Sequence, residues 1–448
     1  MPDVSVPWGS GELKVSLPRH WRVQQVALPN LRPAPSDWPD RLARALGQPI
    51  GDATLAGLAQ ARRHGKVAIV VEDFTRQSPL ERILPIIVRE LCHAGVDNTQ
   101  IEIFFAGGMH PPVTARQAAA RLGPELAGLA WRSNHCQSRT GYVCVGAAEG
   151  IDSWVDQGVA DADLRIIVSS VSPHLQAGFG GGHKMIFPGC AHLETIRGLH
   201  RLGVGRRARQ LVGTDPTVNR MRRVIDAAGE LLDQRHGRTF AVQYLLDESD
   251  QPAYIAAGDV LPTHRMTAKQ CAVACGVVVS DLGDVLLVNA HPRDFDLWQS
   301  FKCIANTRWA ARPNGAILCL ARCAGGLHGM QVPRWPIGPT WTRRAVRWLG
   351  PDAISSMVTR AIPRLAGDAA FFVRMAAQTI RRNPVFMVSP ELHRCRVRFP
   401  AIRLFGDVDT AVAAVGEYLG GGSQRVVVFP AGGTTFPVPT AVGSAETQ

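Results

Sequence analysis

Three short, β-branched apolar runs constrain this chain more than any other feature: Lys66–Glu72 (KVAIVVE), Gln100–Ala106 (QIEIFFA) and Leu164–Ser170 (LRIIVSS). A strand that is apolar on both faces needs cover on both sides, which a parallel sheet wrapped by helices provides. The intervening segments Leu80–Ala94 and Thr114–Leu122 carry the apolar period of such helices, so the pattern predicts repeated βαβ units. Open sheets of this kind bind ligands outside the carboxyl ends of their strands. The segments that follow the runs are Asp73-Phe74-Thr75-Arg76, Gly107-Gly108-Met109-His110-Pro111-Pro112 and Val171-Ser172-Pro173-His174. They are expected to share one crevice, with Arg76, His110 and His174 as neighbours.

The pattern restarts beyond about Met266, with Gly276–Ser280, Ala316–Ala321, Pro384–Val388 and Arg425–Phe429 as strand candidates. A chain of 448 residues that is 46% hydrophobic can bury two cores. The expected fold is therefore α/β, with two α/β domains of largely parallel sheets and an active-site cleft between them. Residues 1–268 form the expected first domain and 269–422 the second, with 423–448 able to cross back to the first. Val4–Pro7 and Glu12–Leu17 around Gly9-Ser10-Gly11 read as a short hairpin, and the tail after Pro437 as disordered.

Met1-Pro2-Asp3 opens without a basic leader, and apolar runs such as Cys271–Val279 are too short to span a bilayer, so a cytoplasmic location and no membrane partner are expected. The steps Cys271 to Cys275 and Cys319 to Cys323 are wider than a paired zinc-ligand step, which leaves the ten cysteines as reduced thiols. A net charge of +12 offers Arg206, Arg207, Arg209, Arg220, Arg222 and Arg223 as a basic patch. With four tyrosines and no recognition motif, no nucleic-acid partner is expected.

Chemistry is concentrated in Ser169–Ala191. Of the 49 basic residues only five are lysines: Lys14, Lys66, Lys184, Lys269 and Lys302. A lysine kept directly after Gly180-Gly181-Gly182-His183 suggests a task that a guanidinium cannot do, such as nucleophilic attack or covalent attachment of a cofactor. The segment is no P-loop, because His183 precedes the lysine and Met185 stands where a magnesium-binding hydroxyl belongs, and no Rossmann fingerprint accompanies it. His110 and His174 can serve as a pair of proton-transfer groups. Arg76, beside Asp73, can grip a carboxylate, with Asp73 orienting it. Asp294–Ile304 places Gln299 and Lys302 on one helical face. His192, Ile196 and His200 share a face of another helix, from which His200 can ligate nickel, copper, zinc or iron.

These residues resemble one family. The combination D-F-T-R at Asp73–Arg76, G-M-H at Gly108–His110, S-P-H-L-Q-A-G-F-G-G-G-H-K at Ser172–Lys184, P-G-C-A-H-L-E-T-I-R-G-L-H at Pro188–His200 and L-W-Q-S-F-K at Leu297–Lys302 is similar to the lactate racemase catalytic-subunit family of nickel-pincer 2-hydroxyacid racemases and epimerases. The resemblance implies a pyridinium-3,5-dithio mononucleotide nickel cofactor attached covalently at Lys184 and ligated by His200, with cofactor-synthesis enzymes as partners. It implies His110 and His174 as paired acid/bases in hydride-transfer inversion of C2. Asp73, Arg76, Trp298, Gln299 and Lys302 become substrate contacts. Two departures, Pro111 where many members have arginine and Trp298 where they have tyrosine, leave open whether the substrate is lactate or a larger, more apolar 2-hydroxyacid. A carrier of the nickel cofactor without turnover, and a Schiff-base or pyridoxal-phosphate enzyme using Lys184, are the alternatives.

Overall fold

Burial on both faces is complete in the expected central strands: every residue of Val67–Glu72 and of Leu164–Ser170 is buried. The computed structural model describes residues 2–438 apart from 52, 205–207, 328–331, 333–336 and 366–369. Its first six-stranded sheet runs in the order Pro252–Asp259, Arg238–Leu246, Leu164–Ser170, Val67–Glu72, Ile101–Ala106, Ala130–Ser133. All pairings are parallel except that between the first two. Chain order reverses between Val67–Glu72 and Leu164–Ser170, so the two loops leaving them diverge and open a crevice there. Helices Leu80–His93 and Ala115–Leu122 cover this sheet as expected, the second opened by a Thr114–Gln117 capping box.

The second six-stranded sheet is wholly parallel, in the order Ile402–Phe405, Val385–Val388, Ala311–Leu320, Gly283–Asn289, Gln424–Phe429, Trp21–Val26. Its central strand differs from the sequence expectation. The run Gly276–Ser280 supplies only the two-residue strand Gly276–Val277, and Val278 is exposed, whereas Gly283–Asn289 is buried throughout. Gly283-Asp284 reads as a turn, but Asp284 is a buried anchor that accepts hydrogen bonds from the Arg425 backbone (2.7 Å) and side chain and pairs with Arg312 (2.8 Å).

Sheet membership also differs from the expected division at 268 and 423. Trp21–Val26 belongs to the second sheet, as does Gln424–Phe429 beside it. The hairpin of Asp3–Trp8 with Gly11–Ser16 packs on the same core. The chain turns back only afterwards, where Phe436–Pro437 pairs with Gly276–Val277 and Phe436 meets Phe179 edge-on. The tail beyond 438 lies outside the described residues. Among the described residues, no helix is long and apolar enough to cross a membrane.

In this second sheet the reversal falls between Gly283–Asn289 and Gln424–Phe429. The loop leaving Gly283–Asn289 leads directly into the helix Leu297–Thr307, which carries Trp298, Gln299 and Lys302. Both sheets thus turn a switch-point loop toward one cleft.

Candidate active site

The three expected loops do meet. Asp73, Arg76, His110 and His174 line one cavity of about 380 Å³, together with Lys184, His200, Trp298 and Lys302. That volume lies in the range of small-molecule and cofactor sites. Strand spacing sets the frame. The His110 and His174 loops leave strands on either side of the Arg76 strand, so their roots stand about 10 Å apart, two inter-strand steps.

Asp73 holds His110 rather than Arg76, which corrects the expected pairing. His110 donates from Nδ1 to Asp73 Oδ2 over 2.6 Å, while the Thr75 amide and hydroxyl donate to Oδ1. Burial alone would raise this carboxyl, but the His110 hydrogen bond and charge, with Thr75 and nearby Arg76, pull it down to about 2. Arg76 has no side-chain hydrogen bond or ion pair among the described residues, which leaves its fork available to a ligand. A neutral His110 with Nδ1–H committed to a carboxylate keeps its lone pair on Nε2.

His174 is arranged the opposite way. Its Nδ1 accepts from the backbone amides of Gln176 (3.3 Å) and Ala177 (3.0 Å). Amides only donate, so Nδ1 carries no proton and the neutral ring carries it on Nε2. Burial, then the charges of Lys184, Arg76, Lys302 and Arg222, push its pKa well below the usual histidine value.

The glycine run brings Lys184 into the cavity. Gly181 and Gly182 both take positive φ, and a Cβ on Gly181 would stand 2.4 Å from the Gln243 amide oxygen, which accepts a hydrogen bond from the Gly182 amide. Arg222 fixes the run from beneath. It is 1% exposed, donates to the carbonyls of Ala177, Phe179 and Gly181, and is balanced by Asp226 at 3.5 Å. His264 donates to the Gly180 carbonyl over 2.8 Å. Arg222 is therefore no member of a surface patch. Arg220 and Arg223 are tied to Glu149, and Arg206 and Arg207 lie outside the described residues.

Crowding with like charge tunes the two lysines of the cavity. Burial, then Arg76, Arg222 and Lys302, lower Lys184 to about 7. Burial, then Arg76 and Arg293, lower Lys302 to about 7. At neutral pH an amine of this kind is substantially unprotonated and nucleophilic. Lys302 Nζ donates to Gln299 Oε1 at 3.1 Å, which bears out the shared helical face, and Asp296 caps that helix.

His200, near the end of the helix Leu193–Leu202, reaches the cavity with Ile196, whereas His192 caps the helix start and faces Tyr142. Phe371 and Phe372, at the start of the helix Ala370–Arg382, complete the wall. Phe371 lies against the His200 ring and Phe372 against Trp298. Sequence reasoning missed both; the visible signal was two adjacent aromatics opening an amphipathic helix. Among the described residues no three His, Cys, Asp or Glu side chains converge as a metal site. A metal at His200 would thus draw its other ligands from the group that carries it, as a pincer does, and Lys184 offers that group an amine in the same cavity. The residues present fit such a cofactor.

Comparison with known proteins follows the same lines. Residues 8–211 match the lactate racemase N-terminal domain. The lactate racemase of Thermoanaerobacterium thermosaccharolyticum is 25% identical over 344 residues, covering 75% of this chain and 78% of that protein. That of Lactiplantibacillus plantarum is 25% identical over 299 residues, 65% of this chain and 67% of that protein. Among solved structures, the lactate racemase apoprotein from T. thermosaccharolyticum superimposes with a TM-score of 0.80 at 20% identity, covering 98% of this chain and all of that one. A Thermotoga maritima protein matches with a TM-score of 0.59 at 16% identity, over 89% of this chain and 96% of that one.

Proposed function

The chain belongs to the lactate racemase family, and from that premise we propose that it is a racemase or epimerase that inverts C2 of a 2-hydroxycarboxylic acid, using a nickel-pincer nucleotide attached at Lys184 and ligated by His200. The observation that carries the reading is the convergence of two histidines, an unpaired arginine and two of the chain's five lysines in one cavity. Held by Lys184 and His200, such a cofactor would supply an electron-poor carbon able to accept and return a hydride.

The protein's own groups do the rest. Arg76 and Lys302 hold the substrate carboxylate through charge-assisted hydrogen bonds, and Gln299 orients Lys302. His110 Nε2 takes the hydroxyl proton, and the Asp73 carboxylate stabilises the resulting imidazolium. His174 presents Nε2–H from the other side of Arg76 as a hydrogen-bond donor to the substrate oxygen. To give up that proton, or to act as a base at Nε2, it must first release the Gln176 and Ala177 amides so that Nδ1 can be protonated. The glycine run and Arg222 keep Lys184 in place.

The attachment is tested without substrate. Protein produced together with the cofactor-synthesis enzymes gains intact mass on the peptide containing Lys184 and carries nickel, which His200→Ala loses. Lys184→Arg keeps a long basic side chain but forms no link and is inactive. An active, unmodified Lys184→Arg protein would refute the assignment.

A further inference from the structure

Two chemically different groups of side chains line the cavity. Arg76, Lys184 and Lys302 bring positive charge, which adds to burial in depressing both lysines. The second group is aromatic: Trp298, Phe371 and Phe372, with Trp298 packed on Phe372 and Phe372 on Phe371. Helix geometry connects the two groups. Trp298 precedes Lys302 by four residues, so the indole and the ammonium project from one face of the helix Leu297–Thr307 about 6 Å apart at their roots. A carboxylate held at Lys302 therefore sends its C2 substituent along the helix toward Trp298 and Phe372. The methyl group of lactate is too small to cover three rings. A second cavity of about 500 Å³ shares Trp298 and Phe372 and, apart from Thr342, is otherwise lined by apolar residues such as Leu297, Phe301, Val346 and Ile380. That space gives the two shared rings room to shift around a bulky guest.

We infer that the site takes a 2-hydroxycarboxylate whose C2 substituent ends in an aromatic ring, seated against Trp298 and Phe372. This rests on the racemase reading and names its substrate class. A second carboxylate or a hydroxyl at that end would be desolvated against aromatic faces with no compensating partner; an aryl ring stacks there with favourable geometry.

The test compares 3-phenyllactate with lactate on the cofactor-loaded enzyme. The expected kcat/KM for 3-phenyllactate exceeds that for lactate by about tenfold or more, the scale on which a filled apolar pocket discriminates. Phe372→Ala brings the ratio toward one, and Phe372→Tyr keeps it. A ratio at or below one in the wild type, or one unmoved by Phe372→Ala, overturns the inference while leaving the racemase reading in place. If neither acid is inverted, the racemase reading fails, and calorimetric binding of the same two acids decides the rest. Tighter binding of 3-phenyllactate that weakens in Phe372→Ala supports the aromatic subsite, and equal binding removes it.

Discussion

A neutral imidazole offers one lone pair and one proton, and the second partner of each ring decides which end faces the substrate. His110 donates its Nδ1–H to Asp73 and keeps the lone pair on Nε2; His174 receives two amides at Nδ1 and keeps its proton on Nε2. The two histidines were legible in the sequence as strand-end residues, but this polarity was not, because it depends on a carboxylate 37 positions away and on a turn closing on itself. Lys302 has a consequence in solution. Its pKa of about 7 means that the charge proposed to grip the carboxylate is present below that pH and is lost above it. Once Lys184 is consumed by attachment, KM should rise with pH above about 7, by up to about tenfold per pH unit for one linked proton. In Lys302→Arg the rise should vanish. Steady-state kinetics from pH 6 to 9 checks this, and a flat wild-type KM would contradict it.

At the scale of elements, apolar strands followed by helical patterns were readable because both-face burial leaves an unmistakable composition. Gly283–Asn289 was not, since its buried Asp284 imitates a turn and earns its place only through Arg312 and Arg425, which are distant in sequence. The same holds for Arg222. In sequence it is one arginine among many, and in the fold it anchors the carbonyls of the loop that carries Lys184. Arg222→Ala takes its donors from the Phe179 and Gly181 carbonyls, leaves Ala177 only the Phe179 amide, and removes one of the two cations facing Asp226, the other being Arg265. Such losses cost about 3–5 kcal/mol. Urea unfolding should show a lower midpoint with an unchanged slope, and Lys184 attachment should fall in parallel. Stability within about 0.5 kcal/mol of wild type, the range of an ordinary surface change, would show that the loop does not depend on Arg222.

For the whole molecule, function follows from two reversals of strand order. Each sheet opens at its own switch point, one supplying Arg76, His110 and His174, the other the helix with Trp298, Gln299 and Lys302. The sequence revealed which loops would meet within the first sheet. It concealed that residues 21–26 complete the second sheet, because that pairing spans some four hundred positions and leaves no local pattern. The central claim is that this cleft inverts C2 while the C2 hydrogen returns to the carbon it left. The most direct measurement follows one enantiomer of a 2-hydroxyacid with the cofactor-loaded enzyme in heavy water, by chiral chromatography coupled to mass spectrometry. The account predicts approach to the racemate with no deuterium at C2. Deuterium entering C2 at each inversion, or a single enantiomer persisting unchanged, would contradict it.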